Sequence, residues 1–266
     1  MYSDFHVHTE FSGDSDAPVR KAIETAIALS MKHLCITDHH DYDMPAGGLD
    51  FTLDTDLYFN TLSALKEEYS SQIELSIGVE LGLQPHLKEY LNVYTSRYPF
   101  DFIIGSTHVV NGIDPYFSKF YAGRPEAEAY REYFEQVLSN TGRLDCYDVF
   151  GHLDYVVRYG PDKNKHYSYT VYKEILDEIL RTIISKGKGI ECNTGGFKYG
   201  LGHPNPEADL IKRYLELGGE ILTIGSDGHK LSEIGYEFPK LTELLKHCGV
   251  KYYAVFKERT PLFFPV

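Results

Sequence analysis

An α/β protein on a parallel sheet, open or closed into a barrel, is the fold class this sequence predicts, and two observations predict it. Short apolar runs alternate with amphipathic stretches along all 266 residues, the order in which βα units repeat. The longer loops, residues 41–51, 111–123, 159–167 and 195–205, all follow predicted strands, not helices. In a closed β/α sheet such loops gather on one face, at the C-terminal ends of the strands.

Each element has its own local reason. The chain opens on a strand over residues 3–8, where Phe5 and Val7 alternate with Asp4, His6 and His8. Further strands are predicted over 33–37, 73–81, 102–109, 149–155, 189–193 and 222–227, runs that favour β-branched and other apolar side chains. Amphipathic stretches between them predict helices over 18–31, 54–70, 86–94, 125–139, 169–186, 206–217 and 240–248. Pro18, Pro125 and Pro206 stand near helix starts, where a missing N–H costs little. Gly187 and Gly218 follow helices as C-caps do. A last apolar stretch, 252–256, is read as an added strand. No repeat, low-complexity tract or linker interrupts the pattern, so residues 1–266 are expected to form a single domain.

Composition narrows the function. A net charge of −13 repels nucleic acid and anionic membrane, so a phosphate-bearing ligand needs a local positive centre. The four cysteines, Cys35, Cys146, Cys192 and Cys248, are far apart and form no CxxC pair, which argues against a disulfide framework. With no leader-like opening and no apolar run of membrane-spanning length, the expected location is cytoplasmic.

The chemistry lies where the strands end. Side chains at i and i+2 of a strand share a face, so His6 and His8 reach one point, as do Asp227 and His229. His39, Glu80, His108 and His152 fall at the ends of the intervening predicted strands, and Asp14 lies in the loop after the first. Imidazoles beside carboxylates suit Zn²⁺, Fe²⁺ or Mn²⁺ better than Ca²⁺ or Mg²⁺. A lone histidine at a strand end is more often structural than a ligand; it is the set that carries the metal reading.

The segments His6-Val7-His8-Thr9, Thr37-Asp38-His39, the single His108, and Ser226-Asp227-Gly228-His229 resemble the motifs of the polymerase and histidinol phosphatase (PHP) superfamily. Gly78-Val79-Glu80 and Gly151-His152-Leu153-Asp154 match two more. The resemblance spans nearly the whole chain. It implies a distorted (β/α)7 barrel, TIM-barrel-like, with three divalent transition-metal ions at the C-terminal ends of its strands. It assigns His6, His8, Glu80 and Asp227 to one ion. Glu80 bridges to a second ion, which also takes His108 and His152, and Asp14, His39 and His229 hold the third. Many members have His where this chain has Asp14, and Asp16 is the neighbouring alternative. Three ions against the carboxylates of Asp14, Glu80 and Asp227 and one hydroxide leave the site at about +2, which suits a phosphomonoester dianion.

Within that superfamily the chain most resembles the histidinol-phosphate phosphatases, through residues 106–114, 151–159 and 191–196. The resemblance implies hydrolysis of a small phosphomonoester, histidinol phosphate, by a metal-bridging hydroxide, with no nucleic acid or membrane partner. Glu80, Asp227, Arg158 and His229 are the expected catalytic residues. Arg158, Tyr159, Tyr116, Lys198 and His40 are the expected substrate contacts, Lys198 standing where some relatives carry Arg. His40 or Asp154 is a candidate proton donor to the leaving alkoxide. Arg158 has a second reading, an ion pair with a rim carboxylate, and His40 points to the opposite face if its strand continues. A phosphodiesterase or exonuclease of the same superfamily, a phosphatase of another small ester, a non-catalytic metal-binding domain and an amidohydrolase-like barrel are the alternatives.

Overall fold

The computed structural model describes residues 3–45 and 50–266; residues 46–49 of the loop predicted over 41–51 lie outside the described residues, as do residues 1–2. Its frame is a parallel sheet of β1 (Ser3–Val7), β2 (His33–Ile36), β3 (His39–His40), β4 (Glu74–Gly82), β5 (Phe102–Ser106), β6 (Val149–Phe150), β7 (Gly189–Asn193) and β8 (Leu222–Gly225). Spatial order is β1-β2-β4-β5-β6-β7-β8, with β3 on β4. The ring is nearly closed, and it closes at its C-terminal end. Val7 bridges Gly228 in parallel, the His8 N–H donates to Gly228 O at 2.9 Å, and the Asp227 N–H donates to His6 O at 2.9 Å. Closure thus joins the first and last ligand-bearing segments.

Helices α1 (Val19–Ala28), α2 (Thr55–Glu68), α3 (Lys88–Arg97), α4 (Glu126–Arg143), α5 (Lys173–Ser185), α6 (Gly195–Lys198), α7 (Ala208–Glu216) and α8 (Phe238–Cys248) complete the fold. Buried aromatic residues tie them to the strands: the Tyr58 hydroxyl of α2 lies 2.9 Å from both Ile36 O and Gly78 O. Among the described residues no helix is long and apolar enough to cross a membrane.

Several boundaries differ from expectation. The strand predicted over 149–155 ends at Phe150, and Tyr155–Arg158 is a 3-10 turn. At Gly151 a Cβ would meet Ser106 Oγ at 2.5 Å and Ile104 Cγ2 at 2.7 Å, so the backbone presses on its neighbour there and turns away. The strand predicted over 102–109 ends at Ser106, and the helix predicted over 169–186 is a 3-10 turn, Tyr169–Tyr172, followed by α5. The short β3 was not anticipated; it rejoins the sheet beyond a break at residues 37–38 and sets His39 beside Glu80.

The apolar stretch near the C-terminus is half of a hairpin, β9 (Tyr252–Lys257) and β10 (Thr260–Pro265), which lies against the other end of the barrel. Ser76 Oγ donates to Phe256 O at 3.2 Å, and the rings of Phe102 and Phe256 are 4.9 Å apart. The Val266 N–H donates to Lys251 O at 3.1 Å, so alternate N–H groups of β10 face β9 and Pro261 and Pro265 fall on its outer edge. Proline there removes donors that would otherwise recruit another strand.

Candidate metal centre

The strand ends bring the ligands to one place, and the distances say how they group. His6 Nε2 and His8 Nε2 are 3.0 Å apart and lie 3.1 and 3.4 Å from Glu80 Oε2. Asp227 Oδ1 is 3.7 and 3.5 Å from the same two nitrogens. A tetrahedral ion with ligands at ~2.0–2.1 Å has ligand–ligand edges of ~3.3–3.4 Å, so this quartet has the right span. The other oxygen of Glu80, Oε1, is 2.9 Å from His152 Nε2 and 3.4 Å from His108 Nε2. One carboxylate therefore serves two groups. In the third, Asp14 Oδ2 is 3.1 Å from His229 Nε2 and 3.8 Å from His39 Nε2. The groups touch: His8 stacks between His39 and His229, at 4.2 and 4.1 Å, and His39 Nδ1 is 3.1 Å from Glu80 Oε2. Asp16 is exposed and joins no such group.

Proton placement tests whether cations fit. His6 Nδ1 is 2.6 Å from Glu191 Oε1, His108 Nδ1 is 2.8 Å from Asp41 Oδ2, and His229 Nδ1 is 3.0 Å from Asp227 O. None of these oxygens is a donor, so each Nδ1 carries the proton. His8 Nδ1 is 3.1 Å from Ser12 Oγ, whose own proton goes to Asp38 Oδ1 at 2.7 Å, so His8 Nδ1 donates too. All four rings then turn an Nε2 lone pair inward. Two such lone pairs 3.0 Å apart, beside a buried Glu80 Oε2 that no donor meets, repel unless a cation lies between them. Divalent metal ions fit this donor set, and the residues behind the imidazoles are the kind that fix metal-binding tautomers.

Charge agrees. Burial alone would raise Glu80, but His6, His39 and His108 hold it well below the usual carboxylate range. Burial likewise opposes, and Arg158 and His6 overcome it, in keeping Asp227 well below its range. Asp14 is lowered against burial by His229 and His39. Burial, His229 and His39 hold His8 well below the ordinary histidine value. At His6 burial is outweighed by Glu191, Glu80 and Asp227, which raise it: these carboxylates draw a positive charge to the ring, and a metal ion on Nε2 would take the place of the second proton.

A cavity of ≈ 950 Å³ opens over the centre, lined by Asp14, His39, His108, His152, Asp227 and His229 and by the rim residues Arg158, Tyr159, Tyr116 and Lys198. Arg158 is buried and gives three N–H bonds, to Asp227 Oδ2 at 2.7 Å, Asn193 Oδ1 at 2.9 Å and Asn205 Oδ1 at 2.7 Å. Its second reading, an ion pair with a carboxylate, is thus realised, and the partner is a candidate metal ligand. The Asp227 backbone sits at φ 54°, a left-handed conformation that Asp tolerates better than most residues, and Arg158 pins its side chain. Lys198 Nζ donates to Asp227 O and to Glu233 Oε2, both at 2.9 Å.

Two expectations fail here. His40 does not line the cavity; it stacks on Tyr94 at 4.0 Å, its Nε2 meets the Tyr90 hydroxyl, and its Nδ1 accepts from the Leu53 N–H. Successive strand residues face opposite sides, so with His39 turned to the centre His40 is turned into the helix layer. Asp154 is buried and accepts from Asn205 Nδ2, the Tyr167 hydroxyl and the Glu207 N–H, with no path to a leaving group.

Sequence reasoning missed Glu191 and Asp41, the carboxylates behind His6 and His108. A signal existed: Asp41 stands at i+2 from His39 and Asn193 at i+2 from Glu191, the same spacing as His6 and His8. Gly225 makes room for Glu191, since a Cβ there would lie 2.3 Å from Glu191 Oε1 and 2.4 Å from His6 Cβ.

Comparison with known proteins supplies the family. The PHP domain model matches residues 4–195. A histidinol-phosphatase of Lactococcus lactis subsp. lactis is 36% identical over 257 residues, 95% of this chain and 93% of that protein. A probable histidinol-phosphatase of Clostridium acetobutylicum is 32% identical over 251 residues, 94% of this chain and 95% of that one. Among solved structures, a histidinol phosphate phosphatase from Lactococcus lactis subsp. lactis complexed with zinc, L-histidinol and phosphate superposes with a TM-score of 0.90 at 34% identity, covering 98% of each chain.

Proposed function

The chain belongs to the PHP domain family, and on that premise we propose that it is a metal-dependent histidinol-phosphatase, converting L-histidinol phosphate and water to L-histidinol and phosphate. The observation that carries this reading is Glu80, whose two oxygens face two separate imidazole groups beneath a cavity that a small phosphomonoester fits. The residues that would hold zinc, iron or manganese are His6, His8, Asp14, His39, Glu80, His108, His152, Asp227 and His229. Bound ions supply Lewis-acid activation of water and neutralisation of phosphate charge.

The chain's own residues do the rest. Glu80 and Asp227 remain ionised and present fixed oxygens. Arg158 orients Asp227, and its two uncommitted N–H bonds are offered to a phosphoryl oxygen, where charge grows as the P–O bond to the alcohol breaks. Lys198 has one N–H beyond those given to Asp227 and Glu233, and it adds a point charge on the same wall. Tyr116 and Tyr159 are aromatic surface for the rest of the substrate. Residues 1–266 form one catalytic domain in this reading, supported by a sheet that runs from β1 to β8 and a hairpin packed beneath it. The cytoplasmic location belongs to the same proposal, supported by four buried free thiols.

The test is phosphate release from histidinol phosphate by protein reconstituted with Mn²⁺, Zn²⁺ or Fe²⁺, beside sugar phosphates, nucleotides and a phosphodiester. Preference for histidinol phosphate is expected. Faster hydrolysis of the diester, or inertness toward every ester with metal bound, would overturn the assignment.

A further inference from the structure

Beside His108 and His152 the cavity has a flank whose composition phosphate chemistry does not explain. Its wall carries Tyr116, Phe117, Tyr155 and Tyr159, and among these rings one carboxylate, Asp114. Asp114 is half-buried, and its Oδ1 accepts the Tyr116 N–H at 2.8 Å, which fixes the side chain in the turn after β5. Of the cavity's cations, Arg158 is turned to Asp227, Lys198 to Glu233 and Lys119 to the Phe117 ring at 5.4 Å, and among the described residues none, Lys230 included, forms an ion pair with Asp114. Burial pushes the Asp114 carboxyl above its usual range, and the Tyr116 N–H and His108 only partly oppose this.

A carboxylate in the wall of a site that must admit a phosphate dianion works against binding. It repels the phosphate and costs desolvation. The exception is a substrate that brings its own cation to that point, since an ammonium group satisfies the carboxylate and the aromatic faces around it together.

We infer that Asp114 is the specificity-determining residue of this site, binding the ammonium group of an amino-alkyl phosphate and selecting against phosphomonoesters that lack one. This rests on the phosphatase reading above. Asp114 receives the α-ammonium of histidinol phosphate while the ester lies over Glu80 and Asp227, and the rings of Tyr116 and Tyr159, 5.2 Å apart, line the same cavity. The same carboxylate rejects sugar phosphates and nucleotides by leaving a half-buried charge without a cation against them.

The experiment compares histidinol phosphate with its deaminated analogue, 3-(imidazol-4-yl)propyl phosphate, on the metal-loaded wild type and on Asp114→Asn. Asparagine keeps the oxygen that accepts the Tyr116 N–H and removes the charge. The wild type is expected to prefer the amine in kcat/KM by about 10- to 100-fold, the span of one charge-assisted hydrogen bond. In the variant that ratio is expected to collapse to about two-fold or less. An unchanged ratio in a folded variant overturns the inference, and so does a wild type indifferent to the amine, an arm that needs no variant at all. Either result leaves hydrolysis of histidinol phosphate, and with it the phosphatase reading, intact. A wild type inactive on histidinol phosphate overturns that reading and this inference together.

Discussion

The two ends of the barrel both bury carboxylates, and they treat them differently. At the hairpin end the buried acids Asp148 and Asp101 each meet donors from the protein. Asp148 Oδ2 accepts from Arg259 Nε at 2.5 Å and from the Ile103 N–H at 2.9 Å. Asp101 Oδ2 accepts from Lys66 Nζ at 2.7 Å and from the Ile77 N–H at 2.9 Å. At the ligand end Glu80 faces imidazole lone pairs, and its Oε2 meets no donor. A satisfied cluster holds a fold together, whereas a cluster of unmatched acceptors specifies a cation that the protein does not itself contain.

Substitutions at the two ends sharpen this contrast, because one end is expected to lose function and the other stability. The largest effect belongs to Glu80→Ala, which removes the one carboxylate shared by two groups. Activity is expected to fall ~10³-fold or more, with loss of metal exceeding that of any other single ligand change, since several kcal/mol of charge stabilisation disappear. Metal analysis beside kcat checks it, and full metal content in this variant breaks the ligand map.

Next comes Glu191→Gln, which keeps the shape behind His6 and removes the charge. Metal affinity is expected to drop ~10- to 100-fold, with the folded state retained. Competition against a chromophoric chelator measures this, and an affinity equal to wild type would mean that Glu191 is merely packed there.

At the hairpin end Arg259→Ala leaves Asp148 with one donor fewer. Urea unfolding is expected to show a loss of about 1–3 kcal/mol, below the cost of a fully buried pair because Arg259 is partly exposed. Metal affinity and kcat at 25 °C are expected to stay near wild type. A large fall in kcat would erase the distinction between the two ends.

The smallest effect concerns Glu207, a carboxylate outside the metal groups with no cation of its own. Burial first, and then Asp154, push it up to about 7. Because the folded state binds this proton more tightly than the unfolded chain, the resulting stability is complete below the ordinary glutamate value. It is lost as pH rises through about 7. Glu207→Gln removes the dependence, so the stability difference between wild type and variant is expected to change between pH 4.5 and 7.5. Parallel urea midpoints at both pH values test it; a constant difference shows that Glu207 titrates normally.

Much of this was legible in the chain. The i, i+2 spacing of His6 with His8 and of Asp227 with His229 is a local property of a strand, so it predicted shared faces without any tertiary knowledge. Strand ends are the sites of catalysis in β/α barrels, so His39, Glu80, His108 and His152 could be placed on one rim. His40 was offered as a rim contact with a second reading, the opposite face if its strand continued, and the pleat of β3 realises the second. The strand predicted over 149–155 was drawn too long because Leu153 and Tyr155 are apolar; both are buried, but in a turn and not in the sheet.

By itself, then, the sequence determined the βα order and the family, and it offered the candidate ligands, since these rest on local periodicity or on residues within short motifs. Only the tertiary structure decided which acceptors stand behind which imidazoles, that Arg158 divides its bonds among Asp227, Asn193 and Asn205, and that Asp114 lines the cavity without an ion pair. Those facts join residues far apart in the chain, such as His6 with Glu191 and Arg158 with Asp227. Their pairing is set by barrel closure and close packing, which no local pattern encodes.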